Sequence, residues 1–420
     1  FFTSSVVHVG GGQIYTAGKT HFLKSQGWKV IVFSSVLGDV LLSELEQFKN
    51  NIISDLKYPP VYFSKWKIES VHELILKKIK AVEVSGFDKI VIESSDNTLA
   101  MWGEIIAERL QAKHVIYLLG EHLTVGEFFP FFNFKLERKE LASIHKDSLK
   151  KMFRGYRSLE NSESCGISAV AFMNVFPEDF EHPDLDNLPL SDYNISYFGR
   201  DVKLPLNVVK EVLQFAKLHT DKIFNFIILG YNKERRNDIE ELFLQTKPDN
   251  IHFFYLKTAL PPPKSFFRKS DVILGSAGCA SLAFLERNTV ISIDVEKGTI
   301  CGIMGIHTTE TLYSEVHEDI PLSQLLREIL IEKRHKIQDR AFIRYEEELN
   351  SIKLESYKKF MSFIDNKISS EYYNILNTTI SVKYRLRIFM SIHIPENIKK
   401  IIREINNVKF LNIKYILKIG

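Results

Sequence analysis

VVHVGGGQIYTAGKTHFLKSQGWKVIVFS, residues Val6–Ser34, sets three consecutive glycines, Gly10–Gly12, and two single ones, Gly18 and Gly27, between two apolar runs. The apolar run Val6–Val9 reads as a strand. From Gln13 to Gln26, apolar or small residues recur at Ile14, Ala17, Gly18 and Phe22, a helical spacing, and Gly27 stands where a C-terminal cap belongs. Lys29–Phe33 reads as the next strand. Gly18-Lys19-Thr20 mimics the end of a phosphate loop, but GxxxxGK[ST] needs glycine at position 13, where this chain has Gln13. The helical period also starts before Gly18, so Lys19 projects from a helix whose N–H groups are already used. Gly18 is then a small residue on a buried face. A dinucleotide turn fits Gly10 and Gly12 but puts Tyr15 at its third glycine. The second strand ends in Ser34-Ser35, with Asp39 far along for a ribose contact, so that alternative stays open as the weaker fit.

Outward from this stretch the strand and helix patterns alternate. Phe87–Ser94 (FDKIVIES) and His114–His122 (HVIYLLGEH) read as strands, with a helix over Asn97–Leu110 between them. Beyond the Pro/Asp-rich loop Glu181–Asp192 the alternation resumes. Strands are expected at Ile195–Gly199, Phe224–Gly230, Ile251–Leu256, Asp271–Gly275 and Thr289–Asp294. The helix opened by Pro205 turns Val209, Val212, Leu213 and Ala216 inward, and a long charged helix follows over about Lys336–Ile364. This predicts an α/β protein with two Rossmann-like, doubly wound parallel-sheet domains facing a cleft, and a C-terminal basic helical tail. The expected units are 1–185 (acceptor domain), 186–335 (nucleotide-sugar domain), 336–365 (a helix crossing back) and 366–420 (a basic amphipathic tail).

Composition supports a globular chain of two domains: 420 residues, 45% apolar and 25% charged. Cys165, Cys279 and Cys301 show no CxxC spacing, which suits a reducing cytoplasm and argues against a zinc site or a disulfide framework. No run reaches the about 18 apolar residues of a membrane span, and no secretory leader is read. The net charge of +3 conceals an asymmetry, since residues 381–420 hold nine Lys/Arg against two Glu. After Pro395, Ile398, Ile401, Ile402 and Ile405 recur with Lys399, Lys400 and Arg403 between them, the pattern of an interfacial amphipathic helix. An anionic membrane surface is its expected partner. The tail carries no nucleic-acid-binding motif, and no nucleic acid is expected.

Three segments carry a family resemblance. GGGQIYTAGKTHFLKSQGWKVIVFS looks like the glycine loop, helix and second strand that open the family-four nucleotide-sugar glycosyltransferases of the GT-B fold. YFGRDVKLP (Tyr197–Pro205) is similar to the "GR…K" segment that starts their donor domain. SDVILGSAGCASLAFLERNTVISID (Ser270–Asp294) resembles their donor-holding strand, loop, helix and strand. The pattern departs in one place: the two glutamates usually found eight apart are missing, with no acid before Glu286 and Leu282 at the second position. The resemblance implies a cytoplasmic, metal-independent, hexosyltransferase-type enzyme. It would move sugar from a nucleotide-diphosphate donor to a glycan or polyprenyl-linked acceptor in cell-surface polysaccharide assembly, as a peripheral protein on the inner face of the plasma membrane. It implies no cofactor besides that donor substrate. A sugar-nucleotide epimerase and a non-catalytic scaffold subunit on the same fold are the alternatives.

The donor-binding candidates are Gly11 and Gly12, for close backbone approach to phosphate, and Arg200 and Lys203, whose charges suit a diphosphate. Ser276, Gly278 and Ser281 join them at a helix start beyond a strand's carboxyl end. Glu121, His122 and Asp96 follow strands on the other side of the expected cleft and are the candidate bases for an acceptor hydroxyl. Asp294 is placed either on donor or at a plain strand end. FFPFFNF (Phe128–Phe134) is read either as core or as an apolar lip for a polyprenyl acceptor.

Overall fold

The computed structural model describes residues 1–389 apart from 8–9, 81–88, 121–122, 161–164, 173–176, 231–235, 247, 257–260, 296, 310, 312–319, 336, 366–370, 383 and 387–388. The first domain runs β1 (Phe2–Thr3), α1 (Gly11–Ser25), β2 (Phe33–Ser34), α2 (Ser43–Glu46), α3 (Lys65–Lys80) and β3 (Val91–Ser94). It continues through α4 (Asn97–Leu110), β4 (Lys113–Leu118), α5 (Phe129–Glu137), β5 (Leu141–Ser143) and α6 (Lys146–Phe153). A single turn, α7 (Pro183–Asp186), leads to β6 (Tyr193–Phe198), α8 (Leu206–Leu218), β7 (Phe224–Leu229), α9 (Arg236–Thr246) and β8 (Ile251–Leu256). Then come α10 (Lys264–Lys269), β9 (Val272–Gly275), α11 (Ala277–Leu285), β10 (Val290–Asp294), β11 (Thr299–Ile303), α12 (Leu322–Leu326) and the long α13 (Asp339–Asp365).

The first sheet has the order β2-β1-β3-β4-β5 and is parallel throughout. The second has the order β11-β10-β9-β6-β7-β8, parallel except where β11 turns back along β10. Helices cover both faces, so every residue of β4 and β7 is buried and both strands are largely apolar, broken only by Lys113 and His114 at the start of β4 and by Asn225 in β7. Each sheet reverses its winding direction once, between β1 and β3 in the first and between β6 and β9 in the second. The helices that follow those strands diverge and leave a crevice at the carboxyl edge, where sheets of this kind bind ligands.

Helix α1 shows how the sequence fixes this geometry. A Cβ on Gly18 would stand 1.8 Å from the carbonyl oxygen of Phe172, so only glycine lets the helix approach the 169–172 turn. Gly27, at φ +81°, ends the helix as its cap position requires. The 27 residues of α13 bury Phe342, Tyr345 and Leu349 beside Phe284 of the second domain. Farther along, Phe360, Phe363 and Ile364 pack with Tyr15, Tyr117 and Phe172 of the first. One helix is therefore part of both cores. Among the described residues no helix is long and apolar enough to cross a membrane.

The structure corrects several expectations. The first strand lies at Phe2–Thr3; Val6 and Val7 are buried but follow it, and residues 8–9 lie outside the described residues. FFPFFNF is no lip: Pro130 stands in the first turn of α5, Phe128, Phe131 and Phe132 are buried, and Phe129 stacks on Tyr156. Residues 371–381, assigned to the tail by composition, pack on the first domain. Tyr372 Oη donates to Ala112 O at 2.9 Å, Tyr373 N to Glu104 Oε1 at 2.8 Å, and Ile375 and Ile380 join the core around Phe131. The amphipathic pattern Ile398–Ile405 lies outside the described residues.

Candidate active site

The β6/β9 crevice is built on the chain leaving β6. Tyr197 Oη donates to Arg200 O at 3.0 Å, and Tyr255 Oη, from β8, donates to Asp201 Oδ2 at 2.8 Å. Asp201 is buried, so this bond also satisfies a carboxylate removed from water. Arg236 lies over the Tyr255 ring, 5.2 Å from its centre. The Gly199–Lys203 turn is thus pinned from two strands, with Arg200 and Lys203 half-buried at its rim.

Across the crevice, α11 starts at Ala277, with Ser276 as its N-cap residue in extended conformation and no side-chain cap bond. Ala277 has φ +50°, a left-handed conformation uncommon outside glycine, and its N–H donates to Thr311 O. Gly278 is half-buried in the first turn beside Cys279. Burial pushes the Cys279 thiol up to about 12, with Lys203 and Arg200 opposing, so both cations act on the first turn of α11. Phe198 pairs with Gly275, so the chain leaving β6 runs beside the chain leaving β9, and Arg200, Lys203, Ser276 and Gly278 share this edge. Ser281 is turned away from them: its Oγ donates to Ala277 O at 3.2 Å and accepts from Tyr345 Oη of α13 at 2.8 Å. Asp294 is buried and accepts from Lys297 N at 3.0 Å, which holds the β10–β11 turn rather than facing the crevice.

The β1/β3 crevice of the first domain lies between the N-termini of α1 and α4. Gly10 is the extended N-cap residue of α1, and no acid stands in the first turn, so the N–H groups of exposed Gly11 and half-buried Gly12 make a positive helix end. The two domains meet here. Arg200 Nη1 lies 3.9 Å from where a Cβ on Gly10 would stand. Asp96 stands at the mouth of the same crevice as the cap of α4, its Oδ1 accepting from Leu99 N at 2.9 Å. Burial raises its pKa, against the backbone hydrogen bonds from Leu99 and Thr98. Glu121 and His122 lie outside the described residues.

Two chemically suggestive clusters lie apart from this site. Lys19 of the phosphate-loop lookalike is 1% exposed, 2.6 Å from Glu93, and enclosed by rings including Phe360 and Tyr117. No phosphate reaches it. Ser94, His114 and Glu104 stand in triad order, with Nε2 3.0 Å from Ser94 Oγ and Nδ1 2.6 Å from Glu104 Oε2. All three are buried, and even a methyl on Gly103 would come 2.3 Å from Ser94 Oγ, so no substrate has access. Tyr197, Asp201, Tyr255 and Arg236 were missed in the sequence because strand tyrosines read as core and their partners lie far along the chain.

No protein-family model matches this chain, and no curated protein matches it. Solved structures do. A glycosyltransferase from Rickettsia africae aligns with TM-score 0.59 at 15% identity, over 87% of this chain and 98% of its own. The chain has the GT-B fold. Anabaena HepE in complex with UDP and glucose aligns with TM-score 0.55 at 12% identity, over 86% of this chain and 98% of its own. A UDP-N-acetylglucosamine 2-epimerase aligns at 0.48, with 11% identity over 89% and 98%. In this GT-B chain the crevices of the two domains adjoin, and Arg200 stands where they do.

Proposed function

We propose that this GT-B protein is a metal-independent glycosyltransferase that takes sugar from a nucleotide-diphosphate donor. The observation that carries the reading is Arg200, pinned at the β6/β9 switch point and facing the glycine N-terminus of α1. A diphosphate between them would meet a guanidinium, Lys203 and two helix N-termini, those of α1 and α11 with Ser276 and Gly278. The same groups stabilise the charge that develops on the departing nucleotide, the task a divalent ion performs in other transferases. The first domain holds the acceptor, whose hydroxyl is deprotonated by Asp96, Glu121 or His122. By resemblance the acceptor is a glycan or lipid-linked glycan of cell-surface polysaccharide assembly, reached from the cytoplasmic face of a membrane.

Calorimetric titration with UDP, GDP and ADP tests the donor site, followed by assays of the matching nucleotide sugars with and without acceptor. Release of nucleotide dependent on acceptor, undiminished by EDTA, is the expected result. Conversion of donor alone to a new nucleotide sugar would move the protein to the epimerases. Binding without turnover would make it a scaffold subunit. Loss of turnover on chelation, restored by magnesium or manganese, would overturn metal independence.

A further inference from the structure

The backbone at the start of α11 has a conformation it would not keep alone. Ala277, the first residue of the helix, has φ +50°, where an L side chain crowds the following carbonyl. For a residue other than glycine that region is disfavoured about five- to thirtyfold in population, so the surroundings must hold it. Ala277 is held on both sides. Its N–H donates to Thr311 O, and its carbonyl accepts from Ser281 Oγ at 3.2 Å. Ser281 Oγ in turn accepts from Tyr345 Oη at 2.8 Å, in a buried contact that polarises the serine hydroxyl toward Ala277 O. The Tyr345 ring is buried and stands edge-on to Phe284 with centres 5.1 Å apart, so packing fixes where its hydroxyl lies.

This chain of bonds ends at the proposed donor site. Ser276 makes no side-chain bond to the helix it caps, and Cys279 N–H is turned back to Ser276 O at 3.2 Å. Among the described residues no acceptor meets Gly278 N–H, which is the donor that the first turn offers to an anion. The φ angle of Ala277 sets the direction of the incoming Ser276 peptide relative to the helix. Relaxing it to the usual helical value would turn one against the other by about 110°. Ser276 and Gly278 would then lose their present relation to Arg200 and Lys203. We infer that Tyr345 is a positioning residue for the donor: acting through Ser281, it locks Ala277 and so sets the first turn of α11. The inference deepens the proposed reading and rests on it for the identity of the ligand. Ser281, expected from the sequence to touch the donor, acts one step removed from it. Tyr345 belongs to α13, the helix shared by both cores, so the element that joins the domains also sets this turn.

Tyr345→Phe and Ser281→Ala each remove one hydroxyl and little volume. Calorimetric titration of the full-length protein with UDP, GDP and ADP first identifies the nucleotide that the parent binds best. Either substitution should weaken that nucleotide about fivefold, the lower end of the population ratio at Ala277, and raise the donor KM as much with kcat little changed. Adding Ala277→Gly to Tyr345→Phe should restore the affinity, because glycine takes φ +50° without a clamp. A purely structural tyrosine predicts a lower melting temperature with unchanged affinity, and that result would overturn the inference. So would a loss of affinity that Ala277→Gly does not repair. Deuterium exchange of the peptide 275–282 needs no nucleotide: it should be faster in Tyr345→Phe than in the parent, and equal exchange would also overturn the clamp. A parent that binds none of the three nucleotides overturns the proposed function instead, and exchange alone then judges the clamp.

Discussion

Arg200 can present its guanidinium to a ligand only if the turn beneath it keeps still, and the hydroxyls of Tyr197 and Tyr255 hold that turn. Arg200→Ala should leave the fold intact, because the side chain is half-buried at a rim, and should weaken nucleotide-diphosphate binding by about 1.5–3 kcal/mol, the worth of a charge-assisted hydrogen bond. Titration with the free nucleotide measures this; an unchanged affinity would remove Arg200 from the site. Tyr255→Phe separates positioning from contact. It takes one donor from buried Asp201 without touching the rim, so donor KM should rise about fivefold, equivalent to about 1 kcal/mol, with kcat little changed. Arg200 itself was legible in the sequence, since a cation just past a strand of a doubly wound sheet can only lie at the carboxyl edge. The tyrosine beneath it was not. Tyr255 sits 54 residues from Asp201, in a strand whose apolar pattern gives its ring a sufficient reason to be there.

Helices with a full apolar period were readable almost to the residue. Asn97–Leu110 is α4 in both accounts, and Gly18 lies against the fold as a small residue should. Two strands were not: β5 has only three residues, and β11 is an antiparallel addition at the sheet edge that breaks the strand–helix alternation. Pro130 misled in a different way, because proline breaks a helix interior but starts a helix well, and here it starts α5. The same contrast between local and tertiary cause can be measured on α1. At Gly27 only φ +81° resists a side chain, since nothing lies within 4 Å, and Gly27→Ala should cost about 1–2 kcal/mol. At Gly18 the new methyl would overlap the Phe172 carbonyl, and the helix must leave the 169–172 turn that also carries α13. Gly18→Ala should therefore cost more than Gly27→Ala, at or above about 3 kcal/mol, the upper end of core overpacking. Urea titration of both variants checks the order, and a Gly18→Ala protein as stable as Gly27→Ala would show that α1 is not seated as described.

At the scale of the molecule, the chain returns to the first domain twice, through α13 and through residues 371–381, and the second return is fastened to a buried charge cluster. Composition gave no sign of this, because the sequence from 366 onward averages its core residues with a basic end. Glu104 binds Lys135 at 2.5 Å, His114 at 2.6 Å and the backbone N–H of Tyr373 at 2.8 Å, and Lys135 also reaches Glu140 at 2.9 Å. Burial alone would raise the Glu104 pKa, but hydrogen bonds and charge from His114 and Lys135 outweigh it and hold the carboxyl at about 2. Burial, then Lys135, keeps His114 below its ordinary value against the pull of Glu104 and Glu140. Both groups bind fewer protons folded than unfolded. The His114 contribution is therefore lost as pH falls below its unfolded value near 6.5, and that of Glu104 as pH falls from about 4.5 toward 2. Melting temperature should decline in those two steps, and peptide bonds near 371–381 should become open to protease as the Tyr373 bond to Glu104 is lost. Glu104→Gln keeps the shape but leaves Lys135 with one carboxylate. It should cost about 3–5 kcal/mol at neutral pH, as breaking a buried ion pair does, and remove the lower step from the acid profile. A variant whose melting curve still fell between pH 4.5 and 2 by as much as the parent would show that the second return is not held by this carboxylate.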